Sequence, residues 1–336
     1  MNRMVGKKRK IGEFELIESY FAPLSAAEPG AFNLTDDAAV LEVEEGNRLV
    51  VTTDILIAGV HFPDQAEPED IAAKSLRVNL SDLAAMGAEA RAYTLSLALP
   101  KDLNVTWLKR FSKSLAAEQE NFQVTLIGGD TVATPGPLSL SICAIGTVIE
   151  GAELRRNQAH GGDAVYVSGT IGDAALGLKA LGGELKGLSP VHEGFLLDRY
   201  HRPEPRLELG RRLAGVAGAA IDVSDGLAAD LGHICAASKV SAAIEAFMVP
   251  LSEAARSALE KGASSIAAVL GGGDDYELLF TAPPKAALDI ERISAELGLP
   301  ITPIGHIKEG NDGGGVTVVD ENGNQIALPD NGYRHF

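Results

Sequence analysis

Aspartates recur in this sequence where an apolar run meets a loop, next to small hydroxyl residues or glycine. Thr52-Thr53-Asp54 lies inside the strand-like run from Val50 to Ile57. Asp36-Asp37 precedes Ala38 to Leu41, Ser81-Asp82 precedes Leu83 to Gly87, and Gly128-Gly129-Asp130-Thr131 follows Val124 to Ile127. Ile221-Asp222-Val223-Ser224-Asp225-Gly226 carries the same signature in the second half, and no Lys or Arg adjoins any of these carboxylates. An ionised Asp in an apolar strand persists only when it is paired, hydrogen-bonded or bound to a metal. Two such charges at ~6 Å repel by roughly 3 kcal/mol at an effective dielectric of 20. The stretches are therefore either scattered and solvated, or gathered by divalent cations. Oxygen-only ligands without interleaved Cys or His select a hard ion such as Mg²⁺.

Taken singly, each Asp has a plainer role, since Asp caps helices and fills turns. Asp163 and Asp173 keep that assignment. Asp37, Asp54, Asp82, Asp130 and Asp225 are harder to dismiss together, because all stand at element ends, where sites are built. For His61, which closes the central strand, a structural role is the default. Arg155-Arg156 either grips a phosphate or forms a solvated surface pair. Tyr333 is either a stacking platform for an aromatic ligand or part of a tail packed on the core. The sequence has no G-x-x-x-x-G-K-[ST] run and no G-x-G-x-x-G run after a strand, and protein-kinase signatures are also missing. Asp320 to Asn324 suits a hairpin turn better than a calcium loop.

The positioning elements follow from periodicity. Phe14, Ile17 and Phe21 predict a short helix from Gly12 to Phe21, ended by Pro23. Ala38 to Val43, the turn Glu44-Glu45-Gly46-Asn47 and Arg48 to Ile57 predict a hairpin that brings Asp37 near the strand of Asp54. Pro68, Glu69 and Asp70 open a helix that stops at Gly87 and turns Asp82 inward toward the strands. A strand over Tyr93 to Leu99, a helix over Trp107 to Glu120, a strand over Gln123 to Ile127 and a strand over Leu138 to Val148 complete a first half. In the second half, strands are expected at Ala164 to Ser168, Ala219 to Val223 and Tyr276 to Ala282. Helices are expected at Asp173 to Leu181, Arg206 to Leu213, Leu227 to Ala236 and Asp289 to Leu297, and a hairpin from Val316 to Leu328.

At 336 residues and 46% apolar content the chain can form two domains with separate cores. The reading is a lead-in over 1–11, an N-terminal domain over 12–150 and a C-terminal domain over 151–336. A net charge of -17 argues against binding nucleic acid. Cys143 and Cys235 form neither a disulfide framework nor a zinc pattern, which fits a reducing compartment. No signal-peptide core and no run of 18 apolar residues is present, so a cytoplasmic location away from membranes is expected.

Gly12-Glu13-Phe14, Asp36-Asp37, Thr52-Thr53-Asp54, Gly59-Val60-His61-Phe62, Asn79 to Gly87, Gly128 to Thr131, Asp222 to Leu227 and Asp275-Tyr276-Glu277-Leu278 occur in an order that resembles the thiamine-monophosphate kinase family. The resemblance runs from Gly12 to Phe336. It implies the two-domain fold of aminoimidazole ribonucleotide synthetase: an α+β N-terminal domain whose sheet forms a homodimer, and a C-terminal α/β sandwich. It further implies ATP-dependent phosphorylation of thiamine monophosphate to thiamine diphosphate, the last step in making that cofactor. Carried over by position, Asp37, Thr52, Thr53, Asp54, Asp82, Asp130, Asp222 and Asp225 hold several Mg²⁺ ions around the ATP phosphates, with Asp54, Asp82, Asp130 and Asp225 as the catalytic set. Gly129, Asp130, Arg156 and Ser224 contact ATP, while His61, Asp274 and Tyr333 face thiamine monophosphate. The family carries Glu where this chain has Asp274, so the contact there is one methylene shorter and leaves space for a bridging water.

The chemistry agrees with that implication, because a phosphate acceptor is already ionised at neutral pH and needs no general base. Suppressing repulsion between two anions and aligning them is metal and positioning work. The alternatives are another ATP-using enzyme of the superfamily, or an acidic metal- or nucleotide-binding regulator without turnover. The reactive cysteines of selenophosphate synthetase and of the hydrogenase-maturation carbamoyl dehydratase have no counterpart near either end.

Overall fold

The computed structural model describes residues 13–101, 104–310 and 315–328. By contacts the chain forms two compact units. One draws on residues up to Glu42, Thr53–Leu76 and Arg91–Ala144, the other on Val43–Thr52, Arg77–Ala90 and residues from Ile145 onward.

The first half contains α1 (Glu13–Leu16), β1 (Asn47–Ile57), α2 (Pro68–Ala85), β2 (Glu89–Pro100), α3 (Val105–Phe122), β3 (Thr125–Thr134) and β4 (Ser139–Ile149). The strands form one sheet in the order β1-β4-β2-β3, which leaves β1 at an edge. Pro68, Glu69 and Asp70 begin α2 as their types predict. Asn104 caps α3 by accepting the Trp107 amide at 2.9 Å.

Two expectations need correction here. Ala38 to Val43 is not a strand, so the hairpin with β1 does not form. Val40 and Val43 are exposed, and the Val40 amide bonds to Gly30 O at 2.8 Å instead of joining a ladder. The expected helix up to Phe21 stops being α-helical at Leu16 and continues as a π turn over Ile17–Phe21. In addition, β3 does not end at the glycines: it runs through Gly128-Gly129-Asp130 to Thr134, parallel to β2. The register shifts between Tyr93 and Thr94, leaving Ile127 as the extra residue just ahead of the glycines.

The second half contains β5 (Ala164–Ser168), α4 (Asp173–Leu181), α5 (Pro190–His201), α6 (Leu207–Leu213), β6 (Ala220–Asp222), α7 (Leu227–Ser238), β7 (Ser241–Glu245), α8 (Glu253–Glu260), α9 (Ile266–Gly271), β8 (Leu278–Ala282), α10 (Ala287–Leu297), β9 (Ile301–Lys308) and β10 (Val316–Val319). A six-stranded sheet runs β10-β7-β9-β5-β8-β6. One apolar cluster contains Val165, Val167, Ile221, Leu231, Ile234 and Ile304, and another contains Tyr166, Leu209, Phe280 and Ile290. Because Val165 and Val167 alternate with Tyr166 along β5, the two clusters cover opposite faces of the sheet. The C-terminal hairpin is reduced to a single bridge between Val319 and Gln325, while β10 pairs in parallel with β7. The strand expected from Tyr276 starts at Leu278, since Asp274 and Tyr276 have positive φ.

Helices α4 and α5 pack closely. A Cβ on Gly177 would lie 2.1 Å from Leu196 O, whereas one on Gly194 would meet nothing within 4 Å. Gly177→Ala is expected to destabilise by about 1–3 kcal/mol through overpacking. Gly194→Ala should stabilise by about 0.5–1 kcal/mol through helix propensity. Denaturant melts of the two variants check the opposite signs.

Candidate functional site

Within the first unit, a hollow of about 450 Å³ is lined by Asp36, Asp37, Gly128, Gly129, Asp130 and Thr131, with Phe21, Leu34 and Leu126 forming apolar wall. The shifted register of β3 aims the Gly-Gly-Asp stretch. A Cβ on Gly129 would lie 1.9 Å from Leu95 O, so no side chain fits where β3 approaches β2. Asp130 is exposed, and one of its oxygens accepts the Thr131 amide at 2.8 Å. Asp37 is exposed on the same hollow.

Strand alternation sorts the central triplet. Thr52 and Asp54 share one face of β1, while Thr53 points to the other with Leu49, Val51 and Ile55. The Thr53 hydroxyl lies 3.4 Å from Ser141 Oγ, which donates to Asp54 O at 2.9 Å. After the strand, the Gly59 amide bonds to Phe62 O at 2.8 Å, closing a tight turn in which Gly59 takes φ +79°. His61 Nδ1 accepts the Ile57 amide at 3.0 Å. That bond places the proton of the neutral ring on Nε2.

In the second unit, Thr52 Oγ1 donates to Asp82 Oδ2 at 2.5 Å, so the end of α2 does face β1 as its spacing predicts. One residue earlier, Ser81 Oγ donates to Asp222 Oδ2 at 2.7 Å. Asp222 ends β6 and is only 4% exposed. Burial raises the carboxyl of Asp82, against the Thr52 hydrogen bond and the charge of Arg156. Burial, then the charge of Asp82, pushes Asp222 up to about 7. The two carboxylates thus oppose each other's ionisation, and the exposed Arg156 offsets only part of this.

The loop after β6 is shaped by a residue that sequence reasoning missed. Asp230 Oδ2 accepts the amides of Ser224, Asp225 and Gly226 at 3.0, 3.0 and 3.1 Å. It thereby satisfies donors ahead of α7 that would otherwise lack partners. The available signal was an acidic residue on the otherwise apolar face of Leu227, Leu231 and Ile234. One oxygen each of Asp225 and Asp230 and a ring nitrogen of His233 lie within 4.8 Å of one another. His233 was also unmarked in the sequence reading. Asp274 sits beside this loop, with its amide bonded to Ser224 O at 2.8 Å and its Oδ1 3.3 Å from the Tyr276 hydroxyl. Tyr333 lies outside the described residues.

Of the acidic residues singled out by sequence, Asp37, Asp54 and Asp130 belong to the first unit and Asp82, Asp222 and Asp225 to the second. Asp37 and Asp130 line one hollow, and Asp222 meets Ser81 and the charge of Asp82.

The family model for the AIR synthase related protein N-terminal domain matches residues 35–148, and that for the C-terminal domain matches residues 161–318. A thiamine-monophosphate kinase of Haemophilus influenzae is 42% identical over 302 residues, covering 89% of this chain and 90% of its own length. That of Escherichia coli K12 is 40% identical, covering 97% and 98%. The crystal structure of the Stenotrophomonas maltophilia K279a thiamine-monophosphate kinase is 44% identical, with TM-score 0.78 over 85% of this chain and 89% of that one. A structure of AaThiL complexed with AMPPCP and TMP is 33% identical, with TM-score 0.77 over 98% and 100%. The hydrogenase maturation protein HypE shares the fold at 20% identity and TM-score 0.77, over 94% of this chain and 93% of its own. With both halves matched in order and full-length relatives at these identities, the chain belongs to the thiamine-monophosphate kinase family.

Proposed function

We propose that this chain transfers the terminal phosphoryl group of ATP in line to thiamine monophosphate, releasing ADP and thiamine diphosphate. The observation that carries the reading is the pair Asp82 and Asp222, two carboxylates withdrawn from solvent, each held by a hydroxyl and each raising the cost of ionising the other. Such a pair is a poor way to stabilise a fold and a good way to hold a cation. The donors are all oxygens, which fits Mg²⁺. Several ions are expected: Asp37, Thr53, Asp54 and Asp130 in the first unit would hold some, and Thr52, Asp82, Asp222 and Asp225 in the second would hold others. When bound, Mg²⁺ would supply neutralisation of the phosphate charge.

The remaining work belongs to the chain's own groups. Gly129 lets backbone approach the nucleotide, Arg156 balances phosphate charge, and the Asp230-braced amides around Ser224 present a fixed loop to ATP. Nε2 of His61 is the ring nitrogen that can donate toward the thiamine phosphate group. Asp274 and Tyr333 face thiamine monophosphate, Tyr333 by stacking on its aminopyrimidine. Residues 12–150 supply most of the metal and nucleotide groups, and residues 151–336 complete them. Incubation with ATP, Mg²⁺ and thiamine monophosphate tests the reaction: stoichiometric thiamine diphosphate and ADP support it. Nucleotide binding without turnover overturns it in favour of a regulator.

We also infer a homodimer. On the edge strand β1, Leu49, Val51 and Ile55 line one face and are 51%, 59% and 57% exposed. A long apolar edge of this kind is a liability unless a partner covers it, and a second copy presents the same strand. No helix of the described residues is long and apolar enough to cross a membrane, and both cysteines are free, which supports a cytoplasmic assignment.

Three expected outcomes follow from these assignments. Asp54→Asn should cut turnover by about a hundredfold or more while leaving the fold intact, as read by steady-state rates and circular dichroism. Val51→Glu with Ile55→Lys should convert the dimer to a monomer in light scattering. Because the folded chain binds the Asp222 proton more tightly than the unfolded chain, the metal-free protein should lose stability as pH rises from the ordinary value of 3.8 to about 7. Mg²⁺ should raise the melting temperature at pH 7.5 and do little at pH 4.5. Asp222→Asn should weaken the Mg²⁺ effect and reduce the pH dependence, the raised carboxyls of Asp230 and Asp275 keeping a remainder that extends to about pH 8.

A further inference from the structure

In the stretch Asp274 to Glu277, two residues adopt a backbone conformation that side chains disfavour. Asp274 and Tyr276 have φ of +71° and +52°, in the left-handed region that side chains disfavour, on either side of the buried Asp275. Their backbones are bonded to the nucleotide-side loop: Asp274 N to Ser224 O at 2.8 Å, Tyr276 N to Val223 O at 2.8 Å, and Val223 N to Glu277 O at 2.9 Å. A Cβ on Gly273 would lie 2.1 Å from Ser224 O, so the two loops touch main chain to main chain.

What holds this turn is a buried charge cluster that the proposed reaction does not use. Glu277 is fully buried and accepts a two-pronged hydrogen bond from Arg206, Nε at 2.6 Å and Nη2 at 2.5 Å. It also accepts Arg199 Nη2 at 2.8 Å and Ser168 Oγ at 2.6 Å. Arg199 Nη2 reaches Asp275 O at 3.4 Å as well. The Asp275 carboxylate accepts the Gly172 and Ala174 amides at 2.6 and 3.1 Å, where α4 begins. Buried ion clusters contribute little net stability compared with apolar packing of the same volume, but they fix geometry. Here the fixed geometry is that of the residue immediately before Asp275.

We propose that Arg206 and Arg199 are positioning residues: by clamping Glu277 they hold the left-handed Asp274–Tyr276 turn, and with it the Asp274 carboxylate, in the orientation that contacts thiamine monophosphate. The proposal rests on the reading of Asp274 as a substrate contact.

The test is a double-mutant cycle in the full chain. With wild-type protein turning over thiamine monophosphate, Asp274→Asn and Arg206→Met should each raise KM for thiamine monophosphate about tenfold, leave KM for ATP within about twofold, and in combination add little to either alone. Arg206→Lys keeps the charge without the two-pronged bond and should fall between; it also serves if Arg206→Met does not fold. Multiplying effects of the two substitutions, or an equal rise in both KM values, overturns the proposal. Hydrogen exchange gives a readout independent of substrate. The Asp274 and Tyr276 amides should accelerate about tenfold more than amides of the central sheet in the Arg206 variant, whose melting temperature falls because Glu277 loses a buried partner, and unchanged exchange overturns the clamp. If wild-type protein fails to phosphorylate thiamine monophosphate, the substrate reading falls, while the exchange measurement still decides whether Arg206 holds the turn.

Discussion

The cost of placing carboxylates close together away from water governs this molecule. Asp82 and Asp222 come from distant parts of the sequence, one at the end of α2 and one at the end of β6. Each is anchored by a neighbouring hydroxyl and neither is neutralised by an adjacent base. A fold selected for stability alone would put apolar side chains there. Keeping the carboxylates means accepting repulsion that a proton on Asp222 or a nearby cation relieves.

The same contrast separates structural from functional acids elsewhere. Asp230, Asp275 and Glu277 are as buried as Asp222, but their oxygens accept backbone amides or arginines. Burial pushes the carboxyls of Asp230 and Asp275 upward, and their amide bonds pull the other way. These acids shape the loops that carry Ser224, Asp225 and Asp274. The exposed acids Asp37 and Asp130 form a third class, with solvent paying part of the hydration that burial removes.

Much of this was legible in the sequence, for identifiable reasons. Pro68-Glu69-Asp70 marks a helix start by chemistry that tertiary context rarely overrides, and the spacing from there put Asp82 on the face toward β1. Ala164 to Ser168 reads as a strand because nothing in it competes. Ala38 to Val43 carries the same apolar signal, yet its backbone has a nearer partner at Gly30. The run through Gly128 and Gly129 looks like a strand end, but Gly129 lets β3 continue past β2 at a separation no side chain would allow. Helices α5 and α8 went unassigned because linker-like residues surround them. Asp230 was hidden for a different reason: its partners are main-chain amides, which leave no mark in a sequence.

The loop that Asp230 organises is held in shape by the chain's own hydrogen bonds. Three amide hydrogens converge on one oxygen, so the segment gives up little further disorder on binding. Association at that loop should therefore be fast and of lock-and-key type, with any slow structural rearrangement in the catalytic cycle originating elsewhere in the chain.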